Sequence, residues 1–269
     1  FGPSIGGVIG GAFGLRSVFL AAVIMYFLVF TLVYLRVVET LRRDRRGRGA
    51  GRGGGGGSLA LLSNVSFLAV AFVSMVIFFT RTGSRSTMVP LRGAEDLLLG
   101  STTIGAVLTV GALMNVLTLP LAGWGIDRFG RKAMIVPSTF VSGLGVLLLA
   151  VAGSLTAFFV GMAVLGIGTG IAGPAPAAYV ADLAQGRNYG ATLGLFRTIS
   201  DFGFVLGPVM LGWFADLRSF NFSLYVNAGL LFTACVLFAL FAKETHRGMQ
   251  ETAEESVSDV RQAAVRNED

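Results

Sequence analysis

The sequence predicts an all-α polytopic membrane protein, a class indicated by its composition and by the length of its apolar runs. Hydrophobic residues make up 54% of the 269 residues and charged residues only 13%, whereas a soluble domain has about 25% charged residues. The apolar runs are about 20 residues long, the length that a helix needs to cross the hydrocarbon core. They are too long for barrel strands and show no alternating pattern, so helices are expected.

The apolar runs, taken in order, predict the end of one membrane helix followed by seven complete spans. The partial helix covers residues 1–11. The complete spans cover residues 17–38, 59–80, 101–122, 133–152, 155–182, 190–214 and 222–242. A polar connection is expected over residues 81–100. Because the first residue is Phe1 and no charged leader precedes the apolar run, we expect the chain to begin within a helix of a longer protein.

Residues 39–58 interrupt the apolar runs with six arginines and an unbroken glycine run. This composition predicts a flexible, solvated linker. Arg/Gly-rich tracts also occur in proteins that bind nucleic acid, but a tract that directly follows a membrane span is better explained as a linker. We therefore expect no nucleic-acid partner.

Arginine and lysine are concentrated in the connections on one side of the predicted spans. The heavier side carries Arg42, Arg43, Arg45, Arg46, Arg48, Arg52, Arg128, Arg131, Lys132, Arg187, Lys243 and Arg247. The other side carries Arg16, Arg81, Arg85, Arg92 and Arg218. Because basic loops remain in the cytoplasm, the linker, the 123–132 loop and the C-terminus are predicted to be cytoplasmic, in a multi-pass protein of the plasma or inner membrane.

Two residue pairs recur at a constant offset along the chain. The recurring pairs are Gly2-Pro3 with Gly207-Pro208, and Glu39-Thr40 with Glu244-Thr245. The offset is 205 in both cases, since 207 minus 2 and 244 minus 39 give the same difference. Internal repeats are typical of transporters built from repeated helix bundles. The repeat predicts twelve helices in two sets of six, with this chain running from the end of helix five to helix twelve.

The repeat and the linker together predict four segments. Residues 1–38 form the end of an N-terminal half-bundle, with part of helix five and all of helix six. Residues 39–58 form the cytoplasmic linker, and residues 59–242 form a C-terminal half-bundle of helices seven to twelve. Residues 243–269 form a charged cytoplasmic tail.

The stretch GWGIDRFGRK, residues 123–132, is a short basic turn between two apolar spans. A connection with an aspartate and three cations must lie outside the hydrocarbon. Asp127 can accept hydrogen bonds from exposed helix N–H groups, and the cations can pair with acidic groups or with anionic lipid. The residues expected to matter are Gly123, Asp127, Arg128, Gly130, Arg131 and Lys132.

Residues 123–132 resemble the signature cytoplasmic loop of the major facilitator superfamily (MFS) of transporters, Gly-x-x-x-Asp-Arg-x-Gly-Arg-Arg/Lys. The helix count places this copy between helices eight and nine. Residues 2–7, GPSIGG, resemble a Gly-Pro-x-x-Gly-Gly motif at the end of helix five in drug/proton antiporters. Gly207-Pro208 begins a degenerate copy in helix eleven. The resemblance covers the chain except for the linker and the tail.

The resemblance implies an MFS-type bundle without a cofactor, a substrate site between two halves, and a gate at the 123–132 loop that latches the cytoplasmic side. The alternative for the loop is a positive-inside topology anchor, which does not explain Asp127. In the symmetric fold the loop would latch against helix five, most of which this chain lacks. We therefore expect Asp127 and Arg131 to lack their proper partner here.

Arg197 and Asp201 are charged residues inside a predicted span. At a rise of about 1.5 Å per residue from Gly190, they lie roughly 10 Å and 16 Å along the helix, the second near the bilayer centre. Charges at this depth generally face a cavity or a partner, and the i, i+4 spacing lets the two pair. They form either a substrate and proton site or a structural ion pair, and the sequence leaves both open.

Two more features have both a functional and a structural interpretation. Gly207-Pro208 is either a hinge, like its counterpart Gly2-Pro3, or a packing kink. Asn115 is either a substrate ligand or a group that forms an interhelical hydrogen bond. Neither alternative is favoured by the residues alone.

The span over residues 155–182 is rich in glycine, with Gly166 and Gly170 forming a small-residue face. This face either slides and bends during a transport cycle or makes a tight helix contact. Asp182, which ends the span, is interpreted as a boundary residue. Arg81 and Arg85, at the expected external end of helix seven, are interpreted as solvated loop residues more readily than as an anion site.

The helix pattern and the family resemblance predict a secondary active transporter that uses alternating access, and the resemblance of the glycine–proline motif implies proton-coupled efflux of small amphipathic compounds. The alternatives are uptake of a polar or anionic metabolite and a non-transporting receptor or assembly protein. The expected partners are a small-molecule substrate, protons, the lipid bilayer and the missing helices one to five, without which the fragment should not transport. Cys235 and His246 are the only cysteine and histidine, so no metal site is expected, and no nucleophile–base set indicates an enzyme.

Overall fold

The computed structural model describes residues 6, 9–10, 14–36, 60–184 and 189–244. Every regular element in these ranges is helical, and the ranges contain seven spans long and apolar enough to cross a membrane. The all-α polytopic fold is thus confirmed. Gly2 and Pro3, the 39–58 linker and residues 245–269 lie outside the described residues, so the expectations for them stay predictions.

The helices are numbered here in chain order. They are α1 (Leu15–Arg36), α2 (Val65–Glu95), α3 (Ser101–Phe129), α4 (Arg131–Val151), α5 (Leu155–Ala172), α6 (Ala175–Ala184), α7 (Tyr189–Leu217) and α8 (Phe220–Phe241). Asn64, Ser154 and Ser219 precede α2, α5 and α8, and each side chain accepts a backbone N–H of the first turn. Helices α2 to α8 share one apolar core, to which α1 contributes no buried residue.

Helix α2 is longer than the apolar run predicts. The expected polar connection over residues 81–100 is wrong, because the helix continues to Glu95 through a π-helical segment, Thr80–Met88. The physical reason is that the polar side chains find partners inside the bundle. Thr80 donates a hydrogen bond to the Asn227 side chain at 3.1 Å, and Asn227 donates one to the Ser84 hydroxyl at 2.6 Å.

The connection between α3 and α4 is shorter than predicted. Residues 123–129 belong to the end of α3, and only Gly130 separates the two helices. Gly130 has a φ of +92°, a left-handed conformation that glycine adopts without a steric cost. The turn expected over ten residues is therefore made by a single glycine.

Residues 155–184 form one span that is interrupted near its middle. Helix α5 ends at Ala172, a turn follows at Gly173-Pro174, and α6 continues from Ala175. Proline removes a backbone donor and cannot continue the hydrogen-bond ladder of α5. The interruption places a non-helical turn inside the membrane span.

Glycines bring the backbones of α3 and α5 into contact. A Cβ atom on Gly166 would collide with the carbonyl oxygen of Gly111, and one on Gly170 would lie 2.6 Å from the carbonyl oxygen of Asn115. The tight helix contact proposed for Gly166 and Gly170 is therefore present. The sliding motion stays a prediction.

Helices α2 and α7 run parallel with their backbones close together. The Ser200 hydroxyl donates a hydrogen bond to the Ser74 hydroxyl at 2.9 Å. Further along, a Cβ on Gly207 would lie 2.6 Å from the carbonyl oxygen of Phe79. Gly207 is thus a contact glycine, and α7 continues as a helix through Pro208. The hinge role of this dipeptide stays a prediction.

We expect Gly166→Ala to lower the thermal unfolding midpoint of the detergent-solubilised protein. The added methyl group would meet the α3 backbone, and overpacking costs about 1–3 kcal/mol. The matched control is Gly229→Ala on α8, where a Cβ meets nothing within 4 Å. Alanine exceeds glycine in helix propensity by about 0.8–1.0 kcal/mol, so the control should be neutral or stabilising. Equal midpoints for the two variants would contradict the packing of α3 against α5.

Candidate functional site

Five residues join α4, α6 and the chain after α8 at one end of the bundle. This Arg131 cluster is formed by Arg131, Lys132, Tyr179, Asp182 and Glu244. The Nε atom of Arg131 lies 2.7 Å from Oδ2 of Asp182, and their side chains are 14% and 13% exposed. Limited exposure reduces screening by water and salt, so this ion pair is stronger than a surface pair.

Glu244 caps the start of α4. Its Oε1 atom accepts a hydrogen bond from the backbone N–H of Arg131 at 3.2 Å. Free N–H groups and the helix dipole favour an anion at this position. Gly130 makes the approach possible, because a Cβ there would lie 2.9 Å from the carboxyl carbon of Glu244. Asp127, which was expected to accept such bonds, lies in the last turn of α3, and within the described residues the carboxylate seen at the start of α4 is that of Glu244.

Two side chains of the cluster hold the end of α8. The Nζ atom of Lys132 donates to the carbonyl oxygen of Ala242 at 2.6 Å, and the Tyr179 hydroxyl donates to that of Lys243 at 2.5 Å. Carbonyl groups at a helix C-terminus have no partner within the helix. Lys132 from α4 and Tyr179 from α6 supply these partners, so the cluster ties three elements together.

The contacts of residues 123–132 can be compared with the predictions made for them. Arg131 has partners within the described residues, Asp182 and Glu244, and the expectation that its proper partner belongs to helix five stays a prediction. Asp127 is exposed and forms no ion pair in the described part of the chain, so a partner elsewhere stays a prediction. Arg128 stacks over the ring of Trp124 at 5.5 Å, and Gly123 faces open space.

Sequence reasoning missed the acidic members of the cluster. Asp182 was expected to be only a boundary residue, and Glu244 was given no role. One signal was available, because Glu244-Thr245 repeats Glu39-Thr40 at the constant offset. The recurrence of a charged residue at a helix end indicates a position with a defined partner.

A second polar site is a cavity of about 340 Å³ among α2, α3, α5 and α7. Its charged lining residues are Arg81, Arg85 and Arg197. Its uncharged polar lining residues are Ser74, Thr80, Asn115 and Thr169. Its apolar lining includes Ile77, Phe78, Leu119 and Leu165, and the turn at Gly173-Pro174 closes one part. The cavity thus combines guanidinium groups with apolar and aromatic surface.

Arg197 and Asp201 pair as their spacing predicts. The Nε atom of Arg197 lies 3.2 Å from Oδ1 of Asp201, and the side chains are 62% and 50% exposed. The guanidinium also lies 4.7 Å from the centroid of the Phe78 ring, within the range of a cation–π contact. Arg197 lines the cavity, but the side chains of both residues are exposed. A functional role for the pair stays a prediction.

Asn115 connects two of the helices that line the cavity. Its Nδ2 atom donates a hydrogen bond to the Thr169 hydroxyl at 3.2 Å, which links α3 to α5. The interhelical bond expected as one alternative is therefore present. Both residues also line the cavity, so the role as a substrate ligand stays a prediction.

Arg81 and Arg85 line this cavity from a helical segment, so their interpretation as loop residues is wrong. Arg81 is exposed and Arg85 is half-buried. The π-helical segment that carries them is held by Asn227, which is fully buried in α8. The signal that identifies the two arginines is their spacing. Counted from Ser74 and Phe78, they continue one face of a helix at intervals of three to four residues.

Seven apolar spans, a cluster at one bundle end and a polar cavity among four helices describe the chain as part of a multi-pass membrane protein with a solute-sized cavity. The sequence model of the Major Facilitator Superfamily matches residues 70–267, and the chain belongs to this family. The predicted resemblance is thereby confirmed, and the family is one of membrane transporters rather than enzymes.

The chain is similar to curated proteins named for drug resistance. It is 26% identical over 153 residues to Multidrug resistance protein 1 of Bacillus subtilis. The matched segment covers 57% of this chain and 39% of that protein. It is 31% identical over 147 residues to Tetracycline resistance protein, class C, of Escherichia coli. That match covers 54% of this chain and 36% of the relative. The matched segment therefore spans well under half the length of these relatives.

Solved structures support the fold. A peptide transporter of the POT family, crystallised with sulfate, superposes with a TM-score of 0.60 at 20% identity. The match covers 74% of this chain and 45% of that chain. At this identity the likeness concerns the helix bundle alone.

We expect Gly130→Ala to destabilise the protein and Gly123→Ala to leave its stability unchanged or slightly raised. Alanine at Gly130 would adopt a left-handed φ, which costs about 1–2 kcal/mol, and would press against Glu244. Gly123 lies within α3 and faces open space. Thermal unfolding midpoints in detergent compare the two variants, and a Gly130→Ala midpoint at or above that of Gly123→Ala would contradict the capping geometry.

Proposed function

We propose that the complete protein is a secondary active transporter that uses alternating access and exports small amphipathic compounds in exchange for protons. The observation that carries the proposal is the cavity with the Arg197–Asp201 pair beside it. Ionisable groups inside membrane spans are costly and mark substrate or proton pathways. Family membership and the names of the drug-resistance relatives support the same activity.

Asp201 is the proposed proton carrier. It is the only acidic residue among the described ones that lies in the middle of a span, since the others lie at or beyond helix ends. In the deprotonated state it holds Arg197. In this state Arg197 stands at the cavity and engages substrate from the cytoplasmic side. Protonation of the carboxylate from the outside removes the charge that holds the guanidinium, and the substrate is released there. Deprotonation on the cytoplasmic side restores the pair, so one proton enters as one substrate leaves.

The Arg131 cluster is the proposed cytoplasmic latch of this half. It connects α4, α6 and the end of α8 through a limited set of charged contacts, which can separate as a unit. A cytoplasmic position follows from the bias of basic residues toward this end. We propose that a further set of helices completes the transporter and supplies the partner of Asp127, in keeping with the greater length of the relatives.

We expect Asp201→Asn to reduce pH-gradient-driven flux of tetracycline at least tenfold in proteoliposomes that contain the complete protein. The amide keeps the size of the side chain and cannot exchange a proton. Tetracycline exchange without a pH gradient should continue. The matched control is Asp216→Asn, which changes an exposed aspartate at the far end of the same helix.

Full gradient-driven flux in Asp201→Asn would contradict proton coupling through this residue. Binding of tetracycline without flux in the unmodified protein would favour the receptor alternative. The three guanidiniums would also suit uptake of an anionic metabolite, and the direction of flux across vesicles of known orientation decides between export and uptake.

We expect Arg131→Gln and Asp182→Asn to be strongly coupled in a double-mutant cycle of thermal stability. Removing one partner leaves the other charge largely buried, and residues in contact show coupling of about 0.5–3 kcal/mol. The control cycle pairs Asp182→Asn with Arg128→Gln, because Arg128 stacks on Trp124. Additive effects in the first cycle would show that the ion pair does not hold the latch.

A further inference from the structure

We infer that the substrate of the cavity carries an anionic group, such as a carboxylate or a sulfonate, which Arg81 and Arg85 bind together. The inference rests on the proposed transport function and specifies the chemical class of the substrate. Three observations carry it: the balance of charge at the cavity, the placement of the two arginines on one helix, and the apolar surface beside them.

The charge at the cavity is not balanced by the described residues. Three guanidiniums line it, and Asp201 is the carboxylate beside them. Asp201 pairs with Arg197, whereas Arg81 and Arg85 form no ion pair within the described ranges. Uncompensated charge within a membrane span is unfavourable. A ligand that brings one or two negative charges removes this cost, so the cavity favours anions over cations.

The helix holds Arg81 and Arg85 in a fixed direction. They are four residues apart in the π-helical segment and both line the cavity. The segment is anchored next to the two arginines, because Thr80 and Ser84 are fully buried and hydrogen-bonded to Asn227. π-Helical turns occur frequently at functional sites. Because Asn227 holds the backbone of this segment, the two guanidiniums are available to one ligand in the cavity.

Guanidinium groups suit a flat, two-oxygen anion. Each presents N–H donors in a planar fork that matches a carboxylate or a related oxyanion. Lysine would provide a point charge without this geometry. The guanidinium groups of Arg81 and Arg85 therefore distinguish ligands by the shape of the anionic group as well as by its charge.

The remaining surface determines the rest of the ligand. Phe78, Leu119 and Leu165 line the same cavity and offer aromatic and apolar contacts. A cavity of about 340 Å³ in this half alone holds a part of a drug-sized molecule. The ligand class is thus an amphipathic anion, with its charged group toward α2 and its apolar part toward α3 and α5.

The test compares two dyes that share a xanthene ring and differ in charge, carboxyfluorescein as the anion and rhodamine 6G as the cation. Binding to the purified complete protein is measured by fluorescence anisotropy. We expect carboxyfluorescein to bind more tightly. Arg81→Gln and Arg85→Gln should each weaken its binding about tenfold, as expected for one charge-assisted hydrogen bond, and should leave or improve rhodamine 6G binding.

Three further variants separate the effect of charge from the effects of folding and of geometry. Arg85→Lys keeps the charge and should retain part of the affinity for carboxyfluorescein. Arg218→Gln changes an arginine outside the cavity and should leave the affinity for both dyes unchanged. Asn227→Leu removes the anchor of the π-helical segment. It should weaken carboxyfluorescein binding while both arginines remain.

Rhodamine 6G binding at least as tight as that of carboxyfluorescein, or equal carboxyfluorescein binding in Arg81→Gln, Arg85→Gln and the unmodified protein, would overturn the inference. Acidic groups elsewhere in the complete protein would produce that result by neutralising the arginines. Proton-driven flux with no preference for the anion would refute the inference and leave transport standing. Arginine-dependent binding of carboxyfluorescein without any flux would support the inference about the anion and contradict the proposed transport.

Discussion

Polar groups inside the hydrocarbon must find partners within the protein, and this constraint determines how the helices of the bundle are held together. Asn227 on α8 satisfies two hydroxyls of α2, and Ser200 on α7 satisfies Ser74 on α2. Each of these bonds joins two different helices and fixes their relative height. The guanidiniums of Arg81 and Arg85 differ from these groups, because they point into a cavity. Buried polar groups with partners thus mark the framework, and charged groups that face a cavity mark the site.

The short helix α6 connects the two polar sites of the bundle. The turn at Gly173-Pro174 before it lines the cavity, and Asp182 near its end belongs to the Arg131 cluster. The helix has 10 residues and is therefore about 15 Å long. A displacement at the cavity would be carried along this helix to the ion pair at the other end.

The fold class could be predicted from the sequence because runs of apolar residues have few alternatives in a membrane protein. The end of α2 could not be predicted, because Thr80, Arg81 and Ser84 are typical of loops. Their place in the helix becomes clear only from the hydrogen bonds of Thr80 and Ser84 to α8 and from the cavity that Arg81 lines. The pairing of Arg197 with Asp201 could be predicted, since both lie on one helix at a favourable spacing. The partners of Arg131 could not, because Asp182 and Glu244 are distant in sequence and only three-dimensional packing brings them together.

The single-residue connection at Gly130 has a mechanical consequence. A long loop would let α3 and α4 move independently, but one residue leaves them no slack. The ends of α3 and α4 therefore stay close together, and the first turn of α4 is where Glu244 and Asp182 contact Arg131. The glycine leaves the relative orientation of the two helices free to change. A displacement of the end of α3, where Asp127 lies, would thus reach the contacts between α4 and the chain that follows α8.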